Sequence, residues 1–279
     1  MEFVEDMRKI RNRKRLYVIL FVLIAIFING LNSNIETTKY DIYDHRVKQE
    51  MKVVFIADTH SCKYGEEQEE LLQKVKSEIP DLILLGGDII DDELPMQTGF
   101  DTIKDLAKSY PLFYVTGNHE IWSGKQEYIK RKIKSLGIEV LEGNIKEINV
   151  KGNLVNILGL DDPEIGEQYL TEFETLGKFK SDSISILLAH RPEDVKYYRR
   201  LDIDYVFSSH AHGGQWRLPF ILEKGIYAPN QGLFPKYTMG INEIYNFKMI
   251  VSRGLSREST RIPRFYNKPE LVVVNFKNK

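Results

Sequence analysis

Short apolar runs alternate with amphipathic stretches along the first half of the folded part of the chain, from Met51 onward. The apolar runs have the length of buried strands, and the stretches between them carry apolar residues at helical spacing. Pro80 ends the first of these predicted helices. The order of strand, helix and strand predicts a largely parallel sheet covered by helices. The predicted strands are 51–58, 81–88, 111–120 and 138–141, and the predicted helices are 66–78, 100–109 and 124–136.

The second half of the chain has a different pattern. Two adjacent strands at 144–150 and 153–160 flank Lys151 and Gly152, a combination typical of a hairpin turn. Because neither a repeat nor a Pro/Ser-rich linker follows residue 50, we expect one domain over 51–279, of the α/β (α+β) class, with two sheets facing each other. The remaining predicted strands are 184–190, 204–212, 247–254 and 270–276, and the remaining helices are 167–179 and 193–200.

The N-terminal region contains an uninterrupted apolar run, Leu16–Ile28. As a helix, residues 16–31 would extend about 24 Å at ~1.5 Å per residue, against ~30 Å for the hydrocarbon core of a bilayer. We expect an uncleaved transmembrane signal-anchor over 16–31, a cytoplasmic basic leader over 1–15 and a tether over 32–50 that includes a first strand. A cleaved signal peptide and a buried core helix are the alternatives, and the absence of a small-residue cleavage site disfavours the former. Basic residues precede the run, so we expect the folded domain over 51–279 to lie on the extracytoplasmic side of the cell membrane.

Composition and charge restrict the classes of protein to which this chain can belong. The chain has 279 residues, of which 42% are hydrophobic, so a disordered protein is excluded. Its formal net charge of -1 disfavours nucleic acid as a partner. Cys62 is its single cysteine, so no intramolecular disulfide can form and the fold depends on its core or on metal.

Polar side chains follow five of the apolar strands, and five of the six histidines are among them. Because the carboxyl ends of neighbouring strands converge on one crevice, we expect these side chains to lie together. Imidazole and carboxylate groups are good ligands for first-row metals, and without cations the crevice would carry a large desolvation cost. The candidate residues are Asp58, His60, Asp88, Asn118, His119, His190, His210 and His212.

The order of these motifs resembles the calcineurin-like metallophosphoesterases. The blocks D-x-H, G-D, G-N-H-E, a single His and H-x-H occur in that order between Met51 and Phe276. Two further segments, HAHGGQWRLP and SRGLSREST…RFYNKPELVVV, are similar to blocks of a membrane-associated phosphodiesterase branch. Ser209, directly before the first segment, and Ser256, within the second, stand where that branch usually has glycine.

The resemblance implies a metallophosphoesterase-type sandwich of mixed sheets and a dinuclear metal centre. It implies that the centre contains two divalent ions, Mn, Fe or Zn with Mn favoured, and that a hydroxide bridging them attacks phosphorus in line. His119 would stay free of metal as the catalytic donor, and Asp91 is either a solvated loop acid or the group that orients His119. One implied ligand set is Asp58, His60, Asp88 and His212, and the other is Asp88, Asn118, His190 and His210, with Asp88 bridging.

The expected function is therefore that of a membrane-anchored metal-dependent phosphodiesterase. Its expected substrates are a phospholipid, a lipid-linked phosphate or a wall polymer. A phosphomonoesterase, a nuclease and a metal-stabilised binding domain without turnover are the alternatives, of which the nuclease is disfavoured by the mildly acidic domain. The aromatic residues of residues 215–239, the late segment, are either ordinary packing residues or an apolar rim for acyl chains. They are Trp216, Phe220, Tyr227, Phe234 and Tyr237.

Overall fold

Two six-stranded sheets form the framework of the structure, a computed structural model that describes residues 2–257 and 262–279. Residues 258–261, part of the second segment that resembles the membrane-associated branch, lie outside the described residues. The strands are β1 (Glu36–Tyr43), β2 (Met51–Ile56), β3 (Leu82–Gly86), β4 (Leu112–Val115), β5 (Glu139–Val140), β6 (Ile145–Val150), β7 (Asn153–Leu160), β8 (Ile184–Ala189), β9 (Tyr205–Ser208), β10 (Tyr227–Ala228), β11 (Gly232–Leu233), β12 (Gly240–Ile244), β13 (Phe247–Val251) and β14 (Glu270–Lys277). The helices are α1 (Glu2–Gly30), α2 (Glu69–Glu78), α3 (Met96–Ala107), α4 (Asn118–Trp122), α5 (Gln126–Ser135), α6 (Glu167–Leu176) and α7 (Val195–Tyr198).

Both sheets are mixed. The first has the order β1-β14-β2-β3-β4-β5, with β2 to β5 parallel and β14 antiparallel to β2. The second has the order β12-β13-β9-β8-β7-β6, with β13, β9, β8 and β7 parallel and the two edge strands antiparallel. The predicted fold of two mixed sheets flanked by helices is therefore confirmed.

The apolar core lies in three layers. The inner layer lies between the sheets, where Phe55 of β2 meets Phe207 of β9 edge to face at a centroid distance of 5.4 Å. Helices α2, α3 and α5 cover the outer face of the first sheet, and α6 and α7 cover that of the second. Since both faces of the central strands are buried, those strands are almost continuously apolar, which is why their positions could be predicted.

The stretch predicted as a tether, residues 32–50, contains the expected first strand. Strand β1 pairs in parallel with β14 over its whole length, from Glu36 opposite Glu270 to Tyr43 opposite Lys277. The carboxylates of Glu36 and Glu270 also hold the guanidinium of Arg253, at 2.6 and 3.0 Å. The sheet thus begins before Met51, and much of this stretch is part of the folded body.

Helix α1 includes the apolar run Leu16–Ile28, whose large side chains are 47–73% exposed. Its end docks on the body: Tyr266 Oη donates to the Ile26 carbonyl at 2.8 Å, and Phe27 lies 5.7 Å from Phe265 between ring centroids. Of the described helices, none combines the length and apolar character needed to cross a membrane. The predicted transmembrane segment over 16–31 is thus not supported, and the run itself is short of a ~30 Å hydrocarbon core.

The late segment, residues 215–239, carries apolar side chains on its surface. Phe220 and Phe234 are 97% and 71% exposed, and Trp216 and Tyr227 are about half exposed. Phe220 and Phe234 are therefore not ordinary packing residues, whereas Trp216 packs against Phe265, with 6.0 Å between ring centroids, and Tyr227 lies in the two-stranded sheet formed by β10 and β11. Tyr237 alone of the five packs against the outer core of the second sheet.

Candidate metal centre

The carboxyl ends of the parallel strands in both sheets meet at one crevice. Asp58 and His60 follow β2, Asp88 follows β3, and Asn118 and His119 open α4 just after β4. The second sheet contributes His190 after β8, and His210 and His212 after β9. All eight candidate residues lie in or beside this crevice, as the strand order predicts.

The ligand atoms form two groups that share one carboxylate. One group is Asp58, His60, Asp88 and His212, whose ligand atoms all lie within 4.8 Å of one another. Asp88, His190 and His210 form the other at the same separation. Asp88 Oδ2 is 3.6 Å from His60 Nε2 and 3.2 Å from His190 Nε2, so it faces both groups. These two groups contain the residues of the two ligand sets that the resemblance implies, except Asn118, and a third group at the same separation consists of His60, Asp91 and His119.

Several buried nitrogen and oxygen atoms in the crevice make no hydrogen bond of suitable geometry with any described residue, although His190 Nε2 and Asp88 Oδ2 lie 3.2 Å apart. These atoms are His60 Nε2, His190 Nε2, Asp88 Oδ2 and Asn118 Oδ1. Buried polar atoms are almost always paired, so a cluster of four unpaired ones needs an explanation. Imidazole nitrogen, carboxylate oxygen and amide oxygen are suitable ligands for first-row divalent metals. The residues present therefore fit divalent cations.

The charges in the crevice also favour a cation. Burial alone would lower the pKa of His190, but Asp88 and Asp58 raise it to about 10. Burial alone would raise the pKa of Asp88, yet His190 and His60 hold it well below its usual range. In contrast, burial and the charges of His190 and Arg191 lower the pKa of His210 to about 3. Asp88 is thus held as a carboxylate by positive charge on neighbouring histidines, a charge that a cation would supply once those histidines bind it as neutral ligands, and the low pKa of His210 keeps it neutral as a ligand must be.

Each candidate histidine ligand has its second ring nitrogen held by a group that is not itself one of the candidate ligands. Such contacts fix the tautomer and orientation of metal-binding imidazoles. Three of the rings are held through Nδ1 and present Nε2, whereas His210 is held through Nε2 and presents Nδ1. The contacts are His60–Asp91 at 2.9 Å, His190–Gly86 carbonyl at 2.8 Å, His210–Asn230 at 3.0 Å and His212–Ser256 at 3.0 Å.

His119 lies beside the two groups, with its side chain 23% exposed to the crevice. Its Nδ1 is 2.6 Å from Asp92 Oδ1 and 3.2 Å from Asp91 Oδ1. Burial alone would lower the pKa of His119, but hydrogen bonds to Asp91 and Asp92 and the charge of Asp88 raise it to about 10. The ring is therefore held as a proton-bearing group next to the candidate ligands.

Asp91 is not a solvated loop acid, because only 1% of its surface is exposed. Its carboxylate contacts both His60 and His119, and it also accepts the backbone N–H groups of Glu93 and Leu94. Asp92, which sequence reasoning missed, makes the shorter contact with His119. The only sequence signal for this role of Asp92 is that two consecutive acids, Asp91 and Asp92, follow Asp88 closely.

Glu120 is a second residue that sequence reasoning left without a role. It is fully buried and accepts four backbone N–H groups at 2.8–2.9 Å, those of Asp88, Ile89, Ile90 and Gly117. Burial and the charge of Asp88 raise the pKa of Glu120 to about 6. The carboxylate ties the loop after β3 to the start of α4 and so positions Asp88.

Serine hydroxyls contact two of the candidate ligands. Ser209 donates to Asp58 Oδ2, and Ser256 lies against His212. Both serines are fully buried. These are the two positions at which the chain departs from the motifs that it resembles, so each departure places a hydroxyl against a candidate ligand.

The crevice opens into a cleft of about 320 Å³. Its walls beyond the candidate ligands include Trp122, Tyr227, Pro229 and Ile262. Among the described lining residues there is neither a lysine nor an arginine. The cleft therefore offers apolar contacts beside a strongly polar floor.

Comparisons with known proteins identify the family of this chain. The family profile of calcineurin-like phosphoesterases matches residues 51–214. The metallophosphoesterase Cj0846 of Campylobacter jejuni is 29% identical over 95% of this chain and 69% of its own. Phosphodiesterase YaeI of Escherichia coli is 27% identical over 73% of this chain and 74% of its own. The solved NAD nucleotidase of Haemophilus influenzae shares the fold, with a TM-score of 0.50 and 18% identity over 75% of this chain and 46% of its own. The chain belongs to the calcineurin-like phosphoesterase family and is a metal-dependent phosphoester hydrolase.

Proposed function

We propose that this protein is a phosphodiesterase that works with two divalent metal ions at a membrane. The observation that carries the proposal is the pair of ligand groups that share Asp88, with unpaired donor atoms directed into both. The ligands of one ion are Asp58, His60, Asp88 and His212, and those of the other are Asp88, Asn118, His190 and His210. The ligand atoms combine nitrogen and oxygen without a thiolate, which suits Mn, Fe and Zn alike, and among these we favour Mn on the resemblance.

Two such ions, when bound, would polarise the phosphoryl oxygens and lower the pKa of a water molecule that attacks phosphorus in line. The chain's own part is to hold the ester in place and to manage the leaving oxygen. When the bond between phosphorus and that oxygen breaks, the leaving alkoxide needs a proton. His119 carries one and faces the cleft, so we assign it as the general acid. Asp92 and Asp91 keep its ring in position.

A diester fits the cleft better than a monoester does. A monoester carries one organic group and an additional negative charge, and the described cleft lining offers no lysine or arginine to receive that charge. A diester has a second organic substituent, for which Trp122, Tyr227 and Ile262 form an apolar wall. The absence of lysine and arginine from the described part of the cleft lining also disfavours nucleic acid, whose binding depends on contacts to phosphates. The name of the E. coli relative, a phosphodiesterase, supports the same choice.

We place the protein at the cell membrane, with its catalytic domain on the extracytoplasmic side. Exposed apolar side chains on α1 and on Phe220 and Phe234 of the late segment support a membrane location. The proposed orientation is an inference from sequence alone: basic residues from Arg8 to Arg15 precede the apolar run and would remain with anionic headgroups on the cytoplasmic side. A phospholipid, a lipid-linked phosphate or a wall polymer is accordingly the proposed substrate class.

A direct test uses metal-free protein supplied with Mn²⁺, Fe²⁺ or Zn²⁺ and two aryl esters. We expect hydrolysis of bis(p-nitrophenyl) phosphate to exceed that of p-nitrophenyl phosphate, and to depend on added metal. Faster hydrolysis of the monoester would favour the phosphomonoesterase alternative. Failure to hydrolyse either ester, together with tight metal binding, would favour a binding domain without turnover.

A further inference from the structure

The hydroxyl of Ser256 lies between two buried side chains of the crevice wall. Its Oγ is 3.0 Å from His212 Nδ1 and 2.8 Å from Arg264 Nη2. The same Arg264 nitrogen is only 3.5 Å from His212 Nδ1. Ser256 has no exposed surface, so water cannot replace its hydroxyl there without rearrangement.

The hydrogen atoms on Arg264 and His212 determine whether the Ser256 hydroxyl acts as a hydrogen-bond donor or acceptor. An arginine guanidinium has only donors, so Ser256 Oγ accepts from Arg264. A neutral imidazole that binds metal through Nε2 carries its hydrogen on Nδ1, so His212 is also a donor toward Ser256. A serine oxygen has two lone pairs and can accept both bonds. Without it, two donors would face each other at a distance of 3.5 Å.

We propose that Ser256 is a positioning residue for His212, acting as the shared acceptor that separates this ligand from Arg264. The inference rests on the proposed function, because it takes His212 as a metal ligand. The new element is that the affinity for one of the two ions depends on the Ser256 hydroxyl, where the similar motifs usually have glycine. Arg264 is part of the arrangement, since its other terminal nitrogen donates to the Arg253 carbonyl at 2.7 Å and fixes the guanidinium.

The two ions should respond differently to loss of this hydroxyl. His190 and His210 are held by the Gly86 carbonyl and the Asn230 amide oxygen. Neither contact involves Ser256 or Arg264. Removal of the Ser256 hydroxyl should therefore weaken only the ion that His212 binds.

The experiment is a calorimetric titration of Mn²⁺ into metal-free, full-length protein, with no substrate present. For the wild type we expect two binding events. Ser256→Ala should weaken one event by about 10–100-fold, the usual effect of losing such an outer partner, and leave the other unchanged. Ser256→Thr keeps the hydroxyl and should restore the affinity. Ser208→Ala is the matched control, because Ser208 is equally buried and its hydroxyl has no hydrogen-bond partner among the described residues.

A double-mutant cycle with Arg264→Met separates positioning from a general loss of packing. If the defect of Ser256→Ala comes from two opposed donors, Arg264→Met in that background should recover part of the lost Mn²⁺ affinity. A purely structural role for Ser256 predicts no recovery, and that result would overturn the inference. Wild-type affinity for both ions in Ser256→Ala would also overturn it and leave the proposed function intact. A wild-type protein that binds no Mn²⁺, Fe²⁺ or Zn²⁺ would instead overturn the proposed function.

Discussion

The candidate ligands occupy backbone conformations that residues with side chains rarely adopt. Asp58, His60, Asp88, His210 and His212 all have positive φ angles, between 45° and 59°. Each such residue costs on the order of 1–3 kcal/mol and persists only where its surroundings enforce it. Part of the free energy of folding is thus used to hold the candidate ligands in these conformations. The neighbouring residues that hold them are therefore as important for the site as the ligands themselves.

Glu120 provides a test of this support. Glu120→Ala would leave four buried N–H groups without an acceptor, each at a cost of ~1–3 kcal/mol. We expect the free energy of unfolding to fall by about 3 kcal/mol or more, measured by chemical denaturation of the metal-free protein. Glu127→Ala, at an exposed position on α5, should change it by less than about 0.5 kcal/mol. Equal effects would mean that Glu120 does not hold the loop.

His119 should be separable from the ligands. His119→Ala should retain both ions and lose about 10²–10⁴ in kcat, the usual contribution of a positioned acid. The loss should be smaller for a nitrophenolate leaving group than for an alkoxide, because a nitrophenolate leaves without a proton. Steady-state kinetics and metal analysis of the same preparation measure both effects. Loss of an ion in this variant would show that His119 is a ligand.

At the scale of elements, the loop after β3 and the start of α4 are in close contact. A Cβ atom at Gly117 would lie on Asp88 Oδ1 and 2.6 Å from Asp88 N. The φ angle of Gly117 is -106°, so the demand for glycine there is one of space and not of backbone conformation.

We expect Gly117→Ala to displace Asp88 and to reduce metal content and phosphodiesterase activity together, by at least about tenfold in activity. Gly177→Ala is the matched control, since Gly177 has a φ of -61° and an added Cβ would meet no atom closer than 3.4 Å. Metal analysis and activity of both variants measure the difference. Normal occupancy in Gly117→Ala would show that the two loops are not packed as described.

The sequence is informative about this fold because its central strands are buried on both faces. Apolar runs such as 51–56 and 82–86 therefore predict β2 and β3 directly, and the polar residues that follow them indicate the crevice. Contacts between distant parts of the chain could not be predicted in the same way. Ser256 meets His212 across 44 residues, and Asn230 meets His210 across 20, with no periodic signal to connect them. Strand β1 was expected within a tether because only its pairing with β14 reveals its place in the sheet.

At the scale of the whole molecule, the exposed apolar surface and the crevice belong to neighbouring segments. Trp216 and Phe27 both lie close to Phe265, so the end of α1 adjoins the late segment. Tyr227 of that late segment lines the cleft. This proximity supports the proposal that the protein receives its substrate at the bilayer surface.

The proposed location makes a prediction about protease access. We expect the protein to sediment with membranes, and protease added to intact protoplasts to digest the catalytic domain. A cytoplasmic marker protein should stay intact in the same sample. Digestion that occurs only after lysis would show that the domain faces the cytoplasm, and recovery in the soluble fraction would contradict the membrane location.

The central claim is that Asp88 joins two metal ions in one centre, and metal analysis of purified Asp88→Asn tests it most directly. The wild type should contain two divalent ions per chain. Replacing the shared carboxylate with a neutral amide removes the negative charge that faces both ligand groups. The variant should therefore lose metal from both sites and most of its phosphodiesterase activity, while a matched control at exposed Asp182, Asp182→Asn, keeps both. Two retained ions with normal turnover in Asp88→Asn would contradict the account.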